Sequence, residues 1–391
     1  MVVIKEVSAR AIEDSRGEKT ISVTLKTSAG DFESSSPTGK STGKYEVKSY
    51  KKGIDIAIKK MKDFSEYFSE EIIEKFDDLK RVENILDGHV GANTLFAFES
   101  CVLKALAKEQ KKEVWELIDE NFNKEKKFPR LVGNCIGGGK HSEVKGKKPD
   151  FQEFELIPES KSVKENYEIL KIAKEKSGQI LQKKDKKFNF EKNDENAWVT
   201  SLNDKEVFDV LGELKIPMGT DVASSGFYKR KKYHYDNPLL KRDAEEQLGY
   251  ISNLIKNFNL FYVEDPFDEE DFESHAKLLE KHPDCLIVGD DLTVTSSKRL
   301  KEAIDKKAIN ALIVKPNQCG SLLEVKRVVE LAKQNNIKTI FSHRSGETDE
   351  TILADLAFGF GADFFKSGTE GDVRVKKILR LIEIEESLKR K

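Results

Sequence analysis

In the second half of this chain, ionisable residues recur at the ends of short apolar runs. IPMGTD stops at Asp221, LFYVE at Glu264, LIVGD at Asp290, ALIVK at Lys315, TIFSH at His343 and DFFK at Lys366. Asp221, Glu264 and Asp290 are hard oxygen donors on three separate runs, a set suited to Mg²⁺ or Mn²⁺ and not to a soft metal. A lysine such as Lys315, at a buried run end near divalent cations, has its ammonium form disfavoured and can serve as a general base. Base plus metal suggests removal of a proton next to a carboxylate. Such a carbon acid is very weak, and the reaction proceeds only if the dianion is stabilised as it forms, which a cation clamped on the carboxylate does. SHRSGE adds Arg344 and Ser345, a guanidinium fork and a hydroxyl suited to phosphate. Taken singly, each group also fits a plainer role, Lys315 as a salt bridge and Arg344 as a solvated surface charge. Six run ends in phase are harder to assign to chance.

These groups need elements that bring them together. The intervals between them, by subtraction, are 43, 26, 25, 28 and 23 residues. Most are filled by stretches such as SSKRLKEAIDKKA and SLLEVKRVVELAKQNN, whose apolar residues recur at three and four, as on one face of a helix. Strand and helix therefore alternate with a unit of about 25 residues. Six such units in a row favour a closed barrel over an open sheet, and a (β/α) barrel gathers its active site at the C-terminal ends of its strands.

The front of the chain is different. VSARAIEDSRGEKTISVTLKTSAGDFESSS holds three β-type runs broken at Arg16-Gly17 and Ala29-Gly30, an antiparallel meander. KKGIDIAIKKMKDFSEYF, SEEIIEKFDDLKRVENIL and NTLFAFESCVLKALAKEQ then read as helices. This predicts an N-terminal α+β capping domain over 1–125 and a catalytic α/β barrel over 126–391, joined at ENFNKEKKFPR. At 391 residues the chain suits two domains. Lys and Arg number 68 against 70 Asp and Glu, so no overall field points to nucleic acid. Its four cysteines lie far apart with no C-x-x-C, which indicates neither a zinc cage nor a disulfide framework. No run approaches the roughly 18 apolar residues of a membrane span, and MVVIKEVSAR lacks a signal peptide's apolar core. A soluble cytoplasmic protein is expected. SPTGKSTGKYE, residues 36–46, ends like a phosphate-binding loop, but that motif needs a glycine where Ser34 stands.

VSARAIEDSRG, DFQEF, DVASSGFY, VEDPF, DDLTVT, VKPNQCG, SHRSGETDETILADL and FKSG together resemble the enolase family nearly end to end. The superfamily's lysine or histidine base and magnesium-stabilised intermediate are a known pattern, so the chemistry above is not independent of it. The resemblance implies a (β/α)8 barrel with an atypical ββαα start, whose first strands are GNCIGGGKHSEV and DFQEFELIP. It implies dehydration of 2-phosphoglycerate with two Mg²⁺ per site. Asp221, Glu264 and Asp290 match the ligands of the first ion, and Ser41, in the loop SPTGKSTG, matches a ligand of the second. Lys315 matches the base and Glu195, in NDENAW, the acid, assisted by Glu153. His141 matches a histidine near the leaving hydroxyl, His343 one lining the site, Arg344 and Ser345 the phosphate contacts, and Lys366 a lysine holding the substrate carboxylate.

The chain departs from the family pattern in three loops. Lys40 and Lys140 stand where the family has small residues, and Asn193 to Trp198 replace a glycine-rich stretch. An ammonium aimed inward from Lys40 or Lys140 would repel the second cation by roughly 1 to 4 kcal/mol; one aimed at solvent would do almost nothing. The shortened TEGDVRV also lacks the glutamate that in the family pairs across a homodimer with the arginine matching Arg10. The alternatives to an enolase are a paralogue acting on another phosphorylated or carboxylate substrate, and a binding protein that has lost catalysis.

Overall fold

The computed structural model describes residues 1–68, 71–119, 126–142 and 146–390. Its first 35 residues form the expected meander of β1 (Val2–Glu13), β2 (Lys19–Thr27) and β3 (Gly30–Ser35), all antiparallel. Helices α1 (Ile54–Asp63), α2 (Leu79–Leu86), α3 (Ala92–Gln110) and α4 (Val114–Ile118) follow, with α3 packed on β2 and β3 and buried along most of its length. One expected helix is corrected. In SEEIIEKFDDLKRVENIL, Ile72–Ile73 form strand β4, paired with Val2 and Val3 at the open edge of β1, and α2 begins only at Leu79. Pairing with an unsatisfied sheet edge overrides the local helical pattern there. The first two residues of that stretch, and 120–125 of the expected joint, lie outside the described residues.

The barrel opens with β5 (Arg130–Gly137) and β6 (Glu153–Leu156), then α5 (Val163–Lys184), a two-residue strand β7 (Trp198–Val199) and α6 (Asp204–Gly212). After β8 (Met218–Asp221), a small antiparallel sheet of β9 (Tyr228–Lys229), β10 (Lys232–Asp236) and β11 (Leu239–Arg242) precedes α7 (Ala244–Phe258), and it accounts for the long first interval of 43. Regular units follow: β12 (Tyr262–Glu264) and α8 (Phe272–Lys281), β13 (Leu286–Gly289) and α9 (Ser297–Asp305), then β14 (Ala311–Val314) with α10 (Pro316–Cys319) and α11 (Leu322–Gln334). The chain ends with β15 (Lys338–Ser342), α12 (Ile352–Gly359), β16 (Phe364–Lys366) and α13 (Asp372–Arg390). Around the barrel the order is β5-β6-β8-β12-β13-β14-β15-β16, and β16 pairs back to β5. Only β6 runs against both its neighbours, which gives the ββαα start.

Strand alternation explains why the charged residues converge. Tyr262, Val288, Ile313, Ile340 and Phe364 belong to one cluster plugging the barrel interior. Two positions further on, where the side chain points to the same side, stand Glu264, Asp290, Lys315, Ser342 and Lys366. Each strand thus carries an apolar residue into the core and a polar one into the mouth. Residues 36–46 lie across that mouth: Thr38 N–H donates to the Gly346 carbonyl at 2.7 Å, and Gly346 N–H donates to the Thr38 carbonyl at 2.9 Å.

Candidate active site

The site residues expected from the sequence, Glu264 excepted, line one cavity at the barrel mouth. Ser41 reaches it from the docked N-terminal loop, and His141 from the turn after β5. Glu153 stands at the mouth because β6 runs downward, so its first residue is level with Asp221, the last of β8. Glu195 comes from the loop ahead of β7. Glu264 sits just beneath the cavity surface, where Lys366 Nζ donates to its Oε2 at 2.8 Å.

Two electrostatic groupings share the cavity. The first is carboxylate-rich. Burial, with Asp221 alongside, pushes Glu264 up to about 7, and burial pushes Asp221 up to about 6 despite Lys366 nearby. Glu264 Oε1 and Glu153 Oε2 are buried without a hydrogen-bond partner. Against the upward push of burial, Lys315, donating to Oδ2, holds Asp290 below its usual range; Asp290 in turn raises Lys315 although burial works the other way, so the ammonium expected to be disfavoured is instead favoured by this carboxylate. Buried carboxylates short of positive charge, with orphaned oxygens, are what a hard divalent cation satisfies. Asp221, Glu264 and Asp290 therefore fit Mg²⁺. Asp265, Asp290 and Asp291 also bring oxygens within 4.8 Å of one another, but Asp265 already accepts the N–H groups of Asp290 (2.9 Å) and Asp291 (2.7 Å). Asp265 thereby fixes the turn that presents Asp290.

The second grouping couples a histidine to two carboxylates. His141 Nδ1 lies 3.4 Å from Glu195 Oε1 and 3.6 Å from Glu153 Oε1. Burial alone would lower His141, but Glu195 outweighs it and raises it to about 9. Burial and then the Glu195 charge lift Glu153 to about 7. Glu195 itself, despite burial, is held well below the usual carboxylate range by His141. Burial keeps His343 neutral, its Nε2 3.9 Å from Glu195 Oε2.

Arg344 is buried and its Nη2 donates to both carboxylate oxygens of Glu46 at 3.1 Å, while Nη1 donates to Asn317 Oδ1 at 3.1 Å. Gly39 presses on this guanidinium so closely that a Cβ there would collide with it. Ser345 Oγ accepts the Lys40 N–H at 2.7 Å. Neither lysine singled out in the loops lines the cavity. Lys40 Nζ donates to Asp194 Oδ2 at 3.1 Å, next to Glu195 in sequence, and Lys140 lies over Gly226 in a neighbouring depression. Sequence reasoning passes over Asp265, Asp291 and Gln152, which also line the cavity; each adjoins a residue it selects, in VEDPF, DDLTVT and DFQEF.

The model for "Enolase, N-terminal domain" matches residues 4–118, and that for "Enolase, C-terminal TIM barrel domain" matches 125–391. The chain belongs to the enolase family. Proteins named enolase are similar to it over nearly their whole lengths. That of Methanosphaera stadtmanae is 37% identical, covering 99% of this chain and 97% of its own. That of Methanothermobacter thermautotrophicus is 34% identical with coverage of 99% and 97%, and that of Natronomonas pharaonis 35% with 98% and 99%. With this family go a hydro-lyase activity, use of a divalent metal and a phosphorylated carboxylate substrate. No described helix is long and apolar enough to cross a membrane.

Proposed function

We propose that this chain catalyses the reversible dehydration of 2-phospho-D-glycerate to phosphoenolpyruvate, the glycolytic reaction, with the capping domain spanning 1–125 and the catalytic barrel 126–391. One observation carries the reading: a lysine and a proton-holding cluster rise from opposite sides of the barrel. Lys315 follows β14, while Glu153 begins β6 and His141 follows β5. An elimination needs a base at one carbon and an acid at the leaving group of the next. As the neutral amine, Lys315 takes the C2 proton and becomes an ammonium, and in the reverse direction that ammonium returns the proton to C2. Glu195, supplied through its contact with His141 and assisted by Glu153, gives a proton to the departing C3 hydroxyl, which leaves as water.

The other residues hold the substrate between these two. Lys366 and His343 face the carboxylate side of the cavity, and Arg344 and Ser345 the phosphate. Asp221, Glu264 and Asp290 would hold one Mg²⁺, and Ser41 would contribute to a second. Bound there, the metal supplies Lewis-acid stabilisation of the negative charge that develops on the substrate carboxylate. A cation held by Asp221, Glu264 and Asp290 would compete with Lys315 and Lys366 for these carboxylates. A homodimer is the family's pattern, yet Arg10 pairs with Glu33 of its own chain at 2.6 Å, and Glu370 of the shortened segment with Lys174 at 2.9 Å and Lys192 at 2.5 Å. Sedimentation of the full chain tests it.

The deciding assay follows the absorbance of phosphoenolpyruvate formed from 2-phospho-D-glycerate at saturating Mg²⁺. A folded protein that binds Mg²⁺ and forms none would overturn the reading in favour of another phosphorylated or carboxylate substrate. The cytoplasm is the compartment this metabolic role requires.

A further inference from the structure

Beneath the cavity lies a buried carboxylate with no assigned task. Glu155 is fully buried on β6, one inward-facing position below Glu153. Neither of its oxygens makes a well-directed hydrogen bond, but Oε1 is 2.9 Å from Lys366 Nζ. It pairs directly with Gly219 on β8, which pairs with Tyr262 on β12. Gly219 has no room for a side chain: a Cβ there would come 2.7 Å from that of Tyr262. Tyr262, also fully buried, donates its hydroxyl to Glu264 Oε2. Glutamate and tyrosine thus flank a glycine in a part of the barrel that is otherwise filled by apolar side chains.

Packing does not account for Glu155. A whole buried ion pair replaced by well-packed apolar residues usually leaves stability unchanged or raised, so a buried glutamate is not explained by stability. The charges above it do offer an account. Lys366 Nζ faces four carboxylates, with Glu155 Oε1 at 2.9 Å, Glu264 Oε2 at 2.8 Å, Glu153 Oε2 at 3.2 Å and Asp221 Oδ2 at 3.7 Å. Asp221 and Glu264 belong to the metal set and Glu153 to the proton cluster. Only Glu155 can keep the ammonium while the others work.

We propose that Glu155, with Tyr262 beside it, is a positioning residue that anchors Lys366 from below, so that Glu264 and Asp221 are free for a divalent cation and the ammonium stays aimed at the substrate carboxylate. The role rests on the reaction proposed above, but its first half concerns metal binding alone. Without Glu155, Lys366 would have only the mouth carboxylates as partners, and a cation would have to displace it from them. That competition weakens metal binding.

The test measures Mn²⁺ binding to the full chain by electron paramagnetic resonance without substrate, alongside denaturant unfolding in chelator. Glu155→Met should remain folded, since Lys366 keeps three other carboxylate partners, yet raise the Mn²⁺ dissociation constant about tenfold or more. Glu155→Gln, nearly isosteric, should show the same loss of affinity, and Tyr262→Phe a smaller one. A role confined to packing would instead lower stability and leave affinity alone. Mn²⁺ affinity within twofold of wild type in both Glu155 variants would overturn the proposal. Because no substrate is present, that outcome is independent of whether the wild type forms phosphoenolpyruvate.

Discussion

The site has a half built on strands and a half built on loops, and they are held in different ways. Asp221, Glu264, Asp290, Lys315 and Lys366 owe their positions to backbone register: each lies two residues beyond an inward-facing position on a strand hydrogen-bonded on both sides. Ser41, His141 and Glu195 come from segments with no ladder to place them. Side chains do much of that work instead, beside the Thr38–Gly346 backbone pair that docks the loop bearing Ser41. Asn193 Oδ1 accepts the N–H groups of Glu195 at 3.0 Å and Ala197 at 2.9 Å, and Lys174, buried, donates to the Asn196 carbonyl and to Glu370. Lys40 bonds Asp194 from the other domain. Where the family has glycines, this chain has a braced loop. The proposed metal ligands and base are therefore fixed by the fold itself, whereas the proposed acid is fixed by replaceable contacts.

The largest effect should come from the strand half. Lys315→Ala should lower turnover by about two to four orders of magnitude and abolish exchange of the C2 proton with solvent, with folding retained. Exchange at the wild-type rate would remove Lys315 from the mechanism. Glu195→Gln should cost dehydration comparably while C2 exchange continues, because Lys315 still acts on the opposite side of a stepwise elimination. If exchange and dehydration fell together in a folded variant that still binds substrate, the two halves would not be chemically separate.

How much of this can be read in the sequence follows the same division. Strand-borne groups are legible from residue pattern, since a period of about 25 residues and two-residue alternation are backbone properties that apolar spacing reports. Asp221 through Lys366 need no other information. Nothing in the spacing marks Glu195 or His141, and only resemblance to a family points to them. Ile72–Ile73 reads as helix because the free edge of β1 that recruits it lies 70 residues away. Glu155 is invisible for a related reason: in DFQEFELIP its carboxylate looks like any alternating polar residue, and only the antiparallel descent of β6 carries it below Glu153 into the barrel interior.

A pH measurement sharpens the comparison on the loop side. His141 is raised from 6.5 to about 9 by Glu195 against the pull of burial. A cation with a raised folded pKa contributes stability that is complete below 6.5 and lost as pH rises through about 9. Unfolding free energy of the metal-free protein should therefore decline across that window. His141→Asn should flatten the decline. Glu153, raised from 4.5 to about 7, acts in a lower window: its neutral form is favoured in the fold, so stability also falls as pH rises between those values. An unchanged slope between 6.5 and 9 in His141→Asn would show that the imidazolium does not carry it.

The smallest effect is the one whose sign matters most. Had the Lys40 ammonium faced the second cation, Lys40→Ala would relieve repulsion and lower the Mg²⁺ concentration needed for half-maximal activity. The structure instead joins Lys40 to Asp194, with the side chains 25% and 16% exposed, and so ties the loop bearing Ser41 to the loop bearing Glu195. Cutting that tie should loosen both loops and raise the Mg²⁺ requirement. A partly exposed pair of this kind contributes about 1 kcal/mol at most, roughly a fivefold change. Lys40→Ala and Asp194→Ala should each produce a shift of that order, and the double variant should shift little further, because the two removals share one interaction. Exchanging the charges, Lys40→Asp with Asp194→Lys, should restore part of the loss. Magnesium titrations at fixed ionic strength decide the matter. A lowered requirement in Lys40→Ala would mean that the ammonium acts on the metal, and the acid loop would then have to be held by Asn193, Lys174 and Glu370 alone.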